Sequence, residues 1–144
     1  MRTIKFRGLE ANPYCEELRT FLYGTPLFIT NEENYILPNF WDYEGLNKFK
    51  VLKKTISQFT GLHDKNGKEI YEGDILDSSE KIPMIFEVYF KNGGFRYGTK
   101  DRSVDISFSN LSNNWLDRIL KRFHVIGNIY ENPELISKTS THEH

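Results

Sequence analysis

Three carboxylates stand close together in the middle of the chain: Asp64, Glu72 and Asp74. Side chains of this kind can move protons in acid–base chemistry or hold a hard cation. The run Asp64-Lys65-Asn66-Gly67 has the look of a calcium loop. Such a loop needs Gly at its sixth position and a bidentate Glu at its twelfth; counted from Asp64, Gly comes fourth and Ile75 twelfth, so the match fails. A turn is the better reading, with Asn66-Gly67 suiting a type I′ hairpin and Gly67 supplying positive φ. Glu72-Gly73-Asp74 reads as a tight bend leading into a strand, its Asp accepting backbone N–H bonds. Of the four histidines, His63 and His124 lack a second donor at strand or helix spacing, and His142 and His144 lie in a polar tail, so no metal or cofactor is expected. Cys15 as a nucleophile would need a base that the sequence does not reveal.

A second cluster suits binding rather than chemistry. Phe40, Trp41, Tyr43 and Phe49 alternate with Lys48, Lys50, Lys53 and Lys54. Aromatic rings can stack on bases while lysines neutralise phosphates. The same rings suit a protein–protein surface, and Asp42 and Glu44 dilute the positive charge. The candidate interaction surface is therefore Trp41, Tyr43, Lys48, Lys50, Lys53 and Lys54, with protein binding preferred.

The elements that must position these residues are mostly strands. Aromatics make up 15% of the 144 residues, which favours β-structure. Ile4 to Leu9 alternates as a strand. Asn12-Pro13 opens a short helix to Leu18. Thr20–Tyr23 and Leu27–Thr30 read as two strands around Gly24-Thr25-Pro26, Tyr35–Leu37 as a third, and Phe49–Thr60 as a long strand after an irregular loop. From Gly61 to Lys68 a loop is expected. Met84, Phe86, Val88 and Phe90 share one face of a strand that returns through Asn92-Gly93-Gly94 to Phe95–Thr99. Val104–Phe108 adds a further strand. Asn113–Phe123 carries an apolar stripe of Trp115, Leu116, Ile119, Leu120 and Phe123, the mark of an amphipathic helix. His124–Tyr130 is a last strand, bent at Gly127-Asn128, and Asn132-Pro133 starts a short helical turn.

The expected fold is mainly β: a small SH3-like, bent β-barrel lobe with one short helix over residues 61–136, an N-terminal β-rich lobe over 1–60, and a polar tail over 137–144. Nineteen basic against twenty acidic side chains leave a charge of −1, without the basic excess of a typical nucleic-acid binder. One Cys excludes an intrachain disulfide framework. With no long apolar run and no signal peptide, the expected location is cytoplasmic, without a membrane.

Two long segments carry a family resemblance. Thr60-Gly61-Leu62-His63-Asp64-Lys65-Asn66-Gly67-Lys68-Glu69-Ile70-Tyr71-Glu72-Gly73-Asp74-Ile75 and Val125-Ile126-Gly127-Asn128-Ile129-Tyr130-Glu131-Asn132-Pro133-Glu134-Leu135 resemble the signature segments of the YopX family of phage and prophage proteins. Ile4-Lys5-Phe6-Arg7 is similar to that family's start, but Gly8-Leu9-Glu10 departs from it. Residues 10–55 match nothing specific. The resemblance implies a phage-encoded, mainly β protein of the host bacterial cytoplasm; it carries no reaction. Gly61, Asp64, Asn66, Gly67, Glu72, Gly73, Asp74, Gly127, Asn128, Asn132 and Pro133 are then structural residues of the family motif. The functional expectation is a non-enzymatic interaction protein that binds a host or phage protein, with homo-oligomers allowed. The alternative is a nucleic-acid-binding accessory protein.

Overall fold

The computed structural model describes residues 4–13, 16–38, 46–78, 84–110 and 113–137. The chain divides into two compact units, residues 1–59 and 60–144. Trp41, Tyr43, Cys15 and the tail from 138 lie outside the described residues.

In the first unit β1 (Phe6–Leu9), β2 (Phe21–Phe28), β3 (Asn34–Leu37) and the start of β4 (Ser57–His63) lie in the antiparallel order β3-β2-β1-β4. Gly24-Thr25-Pro26 is not a turn between two strands. It is the middle of one strand, β2, which changes partner there: Phe21 to Gly24 pair with β1, and Thr25 to Phe28 pair with β3. The pairing with β1 ends at Gly24, so the side of Pro26 without an N–H has no ladder to break. The expected long strand over 49–60 is also different. Short 3₁₀ turns occupy Leu46–Phe49 and Lys53–Thr55, and the strand begins only at Ser57. Thr55 causes the interruption: its hydroxyl donates to the Leu52 carbonyl at 2.6 Å and accepts from the Leu9 N–H at 2.9 Å. Hydroxyl-to-backbone bonds of this kind compete with a strand ladder. Of the expected first helix only a 3₁₀ turn, Glu16–Leu18, is present among the described residues. Leu9, Tyr35, Ile36, Val51 and Phe59 form the buried apolar residues of this unit. A Cβ on Gly8 would come within 3.0 Å of Val51, so the departure from the family's start sits where backbone and Val51 nearly touch.

In the second unit β4 continues to His63 instead of giving way to a loop at Gly61. Beside it lies β5 (Glu69–Tyr71). The remaining strands, β6 (Asp74–Asp77), β7 (Ile85–Lys91), β8 (Gly94–Gly98), β9 (Asp105–Ser107) and β10 (His124–Asn128), form an antiparallel sheet in the order β10-β6-β7-β8-β9. The protein is mainly β, with two short helices, α1 (Asn113–Leu120) and α2 (Pro133–Ser137). The expected barrel is not closed. β9 is three residues long, and the chain leaves it through a 3₁₀ turn and α1, so among the described residues no strand joins β9 to β10.

The core of this unit follows the alternation of β7. Phe86 and Val88 point inward, while Met84 and Phe90 at the ends of the run are exposed. Tyr97 sits among three rings, its centroid 4.9 Å from Phe108, 5.2 Å from Phe123 and 5.3 Å from Phe86. α1 lays Leu116, Ile119 and Leu120 against this cluster. Fully buried members such as Val88 and Leu76 contribute about 1.5–3 kcal/mol each, and the partly buried α1 side chains less.

Candidate functional site

Asp64 is a buried carboxylate at the end of β4. Its Oδ1 accepts from the N–H groups of Asn66 at 2.8 Å and Lys68 at 2.9 Å, folding the loop back on itself. Its Oδ2 accepts from the Val125 N–H at 2.9 Å, sixty-one residues further on. The Lys65 N–H adds a bond to the Phe123 carbonyl at 2.9 Å. One carboxylate therefore fixes the β4–β5 turn and clamps it to the start of β10. Burial opposes ionisation of Asp64, but the bonds from Val125, Lys68 and Asn66, helped by the Lys68 charge, outweigh it and hold the carboxyl below its ordinary range. A carboxylate so held is a weak base, and its oxygens are aimed at backbone amides.

The second clamp joins the other ends of the same two segments. Asp74, 1% exposed, accepts from the Tyr71 N–H at 2.7 Å and closes the β5–β6 turn. Gly73 takes φ +88° in that turn, and its carbonyl accepts from the Ile129 N–H at 2.8 Å. A Cβ there would stand 3.0 Å from the Tyr130 ring. Across from it the β10 register shifts between Val125 and Gly127, a bulge against β6. Asn128 Oδ1 then caps the N–H groups of Tyr130 at 3.0 Å and Glu131 at 2.9 Å, and its Nδ2 donates to the Glu131 carboxylate. Asn132 precedes α2, with Pro133 as its first residue, and its Oδ1 accepts from the Asn128 N–H at 3.3 Å. Gly127 leaves room for it: a Cβ would lie 2.5 Å from Asn132 Oδ1.

The two signature segments thus meet along β6 and β10 and at both clamps. Gly61 and Gly67 contribute backbone freedom alone, at φ +85° and +81° with open space around each. An open cleft of about 340 Å³ lies beside the first clamp, between Leu62, His63 and Lys65 on one side and Asp117, Leu120 and Lys121 on the other. Asp64 borders it with both oxygens already engaged. Among the described residues, no group of three His, Cys, Asp or Glu side chains is placed to hold a metal ion.

The lysines of the expected interaction surface lie on the short segment 48–54 of the first unit. Lys48, Lys53 and Lys54 are exposed on the two 3₁₀ turns, whereas Lys50 is half-buried and bridges to Tyr35. Lys48 lies over the Phe49 ring, 5.1 Å from its centroid, and Lys53 donates to Asn31 at 3.4 Å. The exposed apolar residues of this unit lie elsewhere: Ile4, Leu18, Tyr23, Phe28 and Ile29.

One polar cluster in the second unit had no counterpart in the sequence reading. The face of β7 opposite Phe86 and Val88 carries Glu87 and Tyr89. Asp105 on β9 accepts from the Tyr89 hydroxyl and from Arg96 Nε at 2.8 Å. Arg102 lies over the Tyr89 ring at 3.9 Å and reaches Glu87 at 3.4 Å. The alternation of β7 was the available signal: with Phe86 and Val88 on one face, Glu87 and Tyr89 fall on the other. The loop that delivers Arg102 is organised by Asp101, which accepts from the Ser103 N–H at 3.0 Å and the Ser103 and Thr99 hydroxyls at 2.8 Å each. These bonds hold its carboxyl at about 2, against 3.8 for a free aspartate. Because the folded value is the lower one, the loop gains this stabilisation in full above pH 3.8 and loses it as the pH falls through about 2. The Ser103 amide resonance is expected to titrate with a midpoint of about 2, and Asp101→Asn to abolish that titration. A midpoint at 3.8 would mean that the three bonds do not hold in solution.

The YopX protein family matches residues 16–137. Among solved structures, the crystal structure of protein EF1440 from Enterococcus faecalis is similar, with a TM-score of 0.57 and 27% identity over 94% of this chain and 99% of that chain. No curated protein matches the chain. The match extends over most of the stretch 10–55, where the sequence reading found nothing specific, and its span of residues 16–137 shows that the chain belongs to the YopX family.

Proposed function

We propose that this YopX-family protein is a phage-encoded, non-enzymatic interaction protein that binds a host or phage protein in the bacterial cytoplasm. The observation that carries the reading is the exposure of four apolar side chains along and beside β2 in the first unit, two of them adjacent at its end, Phe28 and Ile29. Leu18 is 70% exposed, Phe28 57%, Ile29 54% and Tyr23 48%. Apolar side chains left in water are a cost that a partner removes. The division of labour supports the same reading: the signature carboxylates Asp64 and Asp74 are committed to backbone amides, which leaves recognition to residues outside the family segments. No helix among the described residues is long and apolar enough to cross a membrane.

Nucleic-acid binding is the second reading, favoured by the exposure of Lys48, Lys53 and Lys54 on neighbouring turns. Salt separates the two, because phosphate contacts release counterions and apolar contacts do not. The test is affinity capture from infected host cells with the wild-type protein and a Phe28→Ser, Ile29→Ser double variant. A protein retained by the first and lost from the second, at an unchanged melting temperature, is the expected result. Equal retention by both proteins would remove the proposed surface. Retention of DNA or RNA that falls steeply with salt would replace the reading with the second one.

A further inference from the structure

The chain contains two Asn-Gly steps, Asn66-Gly67 and Asn92-Gly93, and the fold treats them in opposite ways. An Asn-Gly step is a potential site of self-modification, because glycine leaves its amide nitrogen open to attack the preceding side chain. At Asn66 the attacking Gly67 nitrogen and the Asn66 backbone that carries the target side chain are tied down. The Gly67 N–H donates to the Asp64 carbonyl at 3.0 Å, and the Asn66 N–H donates to Asp64 Oδ1 at 2.8 Å. Both bonds rest on the buried residue that clamps this turn to β10.

At Asn92 neither tie exists. Asn92 and Gly93 form the two-residue turn between β7 and β8, with φ +55° and +80°, and the ladder closes around them at Lys91 and Gly94. In a turn of this type the N–H of the second residue points to solvent. Among the described residues no hydrogen bond engages the Gly93 N–H or the Asn92 side chain. Both residues are exposed, and nothing lies within 4 Å of where a Gly93 Cβ would stand.

We infer that Asn92 is a site of spontaneous deamidation and isoaspartate formation in the folded protein, and that Asn66 is protected. The Gly93 nitrogen attacks Asn92 Cγ. The new N–Cγ bond forms as the Cγ–Nδ2 bond breaks, and Nδ2 leaves as ammonia with the proton that Gly93 gives up. Water then opens the cyclic imide at either carbonyl, leaving aspartate or isoaspartate, with no change of oxidation state. Either product adds a negative charge beside Lys91. Isoaspartate also lengthens the turn by one methylene, next to the Phe90 and Phe95 rings that pack edge to face at 5.3 Å.

The experiment ages the full-length protein in mildly alkaline buffer, native and in denaturant, and follows both sites by tandem mass spectrometry of glutamate-specific digests. In the native protein Asn92 is expected to convert about tenfold faster than Asn66, the factor that one or two net hydrogen bonds at the protected step would make. In denaturant the two rates are expected to converge, since both steps have the same chemistry. Equal native rates, faster conversion at Asn66, or native protection of Asn92 comparable to that of Asn66 would each overturn the assignment.

Discussion

Asp64→Ala is expected to lower the stability of the second unit by about 3–5 kcal/mol. Three backbone N–H groups lose a charged acceptor together, those of Asn66, Lys68 and Val125. Hydrogen bonds to charged groups are worth about 1.5–3 kcal/mol each, and water reaching the partly buried turn offsets part of that sum. Asp64→Asn should fall between the two proteins: its carbonyl oxygen can still accept from Asn66 and Lys68, while its amide would face the Val125 N–H donor to donor. Urea denaturation followed by circular dichroism measures the difference. The sign of its pH dependence is fixed. Asp64 has the lower carboxyl pKa when folded, so its contribution is complete above 3.8 and disappears as the pH falls through the depressed value. The wild type and Asp64→Ala should therefore converge in acid. A loss below about 1 kcal/mol at neutral pH, the scale of an ordinary surface change, would refute the clamp.

Gly24→Ala is the second large effect, and it falls on the first unit. Gly24 stands at φ +154° where β2 changes partners, and a Cβ there would overlap the Leu37 carbonyl oxygen. Backbone of β3, rather than a movable side chain, blocks the space, so the strand pairing must yield. Strain and overpacking together are expected to cost about 2–5 kcal/mol. Gly61→Ala provides the comparison. It also has positive φ, but nothing lies within 4 Å of the new methyl, so its cost should stay at about 1–2 kcal/mol. Equal melting temperatures for the two variants would show that the partner change at Gly24 does not need the missing side chain.

These two positions mark what the sequence could and could not convey. A turn with Gly67 at positive φ follows from local chemistry, but not the expected type I′ form: Asn66 keeps negative φ and the Gly67 N–H closes the turn on the Asp64 carbonyl, as the Asp64 side chain dictates. Of the shared face Met84, Phe86, Val88 and Phe90, alternation places Phe86 and Val88 in the core, and the α1 stripe places Leu116, Ile119 and Leu120 against it. Gly24-Thr25-Pro26 misled because turn composition and a strand that switches neighbours use the same residues. Phe49–Thr60 misled because Thr55 draws its backbone bonds from Leu9 and Leu52, which alternation does not record. The open barrel was not legible because strand number and apolar pattern say nothing about which edges meet. The bond from Val125 to Asp64 joins positions sixty-one residues apart and leaves no periodic trace. Of the residues proposed for interaction, Lys48, Lys53 and Lys54 could be picked out as charges, and all three are exposed. Phe28 and Ile29 were not, since an apolar strand end reads the same whether it faces the interior or water.

The place of β10 has a consequence for how the polypeptide is made. β6 gains its outer neighbour only from residues 124–128, and Asp64 meets its third donor only at Val125. A nascent chain still threaded through the ribosome at residue 120 carries β4 to β9 but holds one edge of β6 bare and one carboxylate oxygen without its amide. The second unit therefore closes only after residues 124–128 have been made, when β10 can pair with β6 and Val125 can reach Asp64.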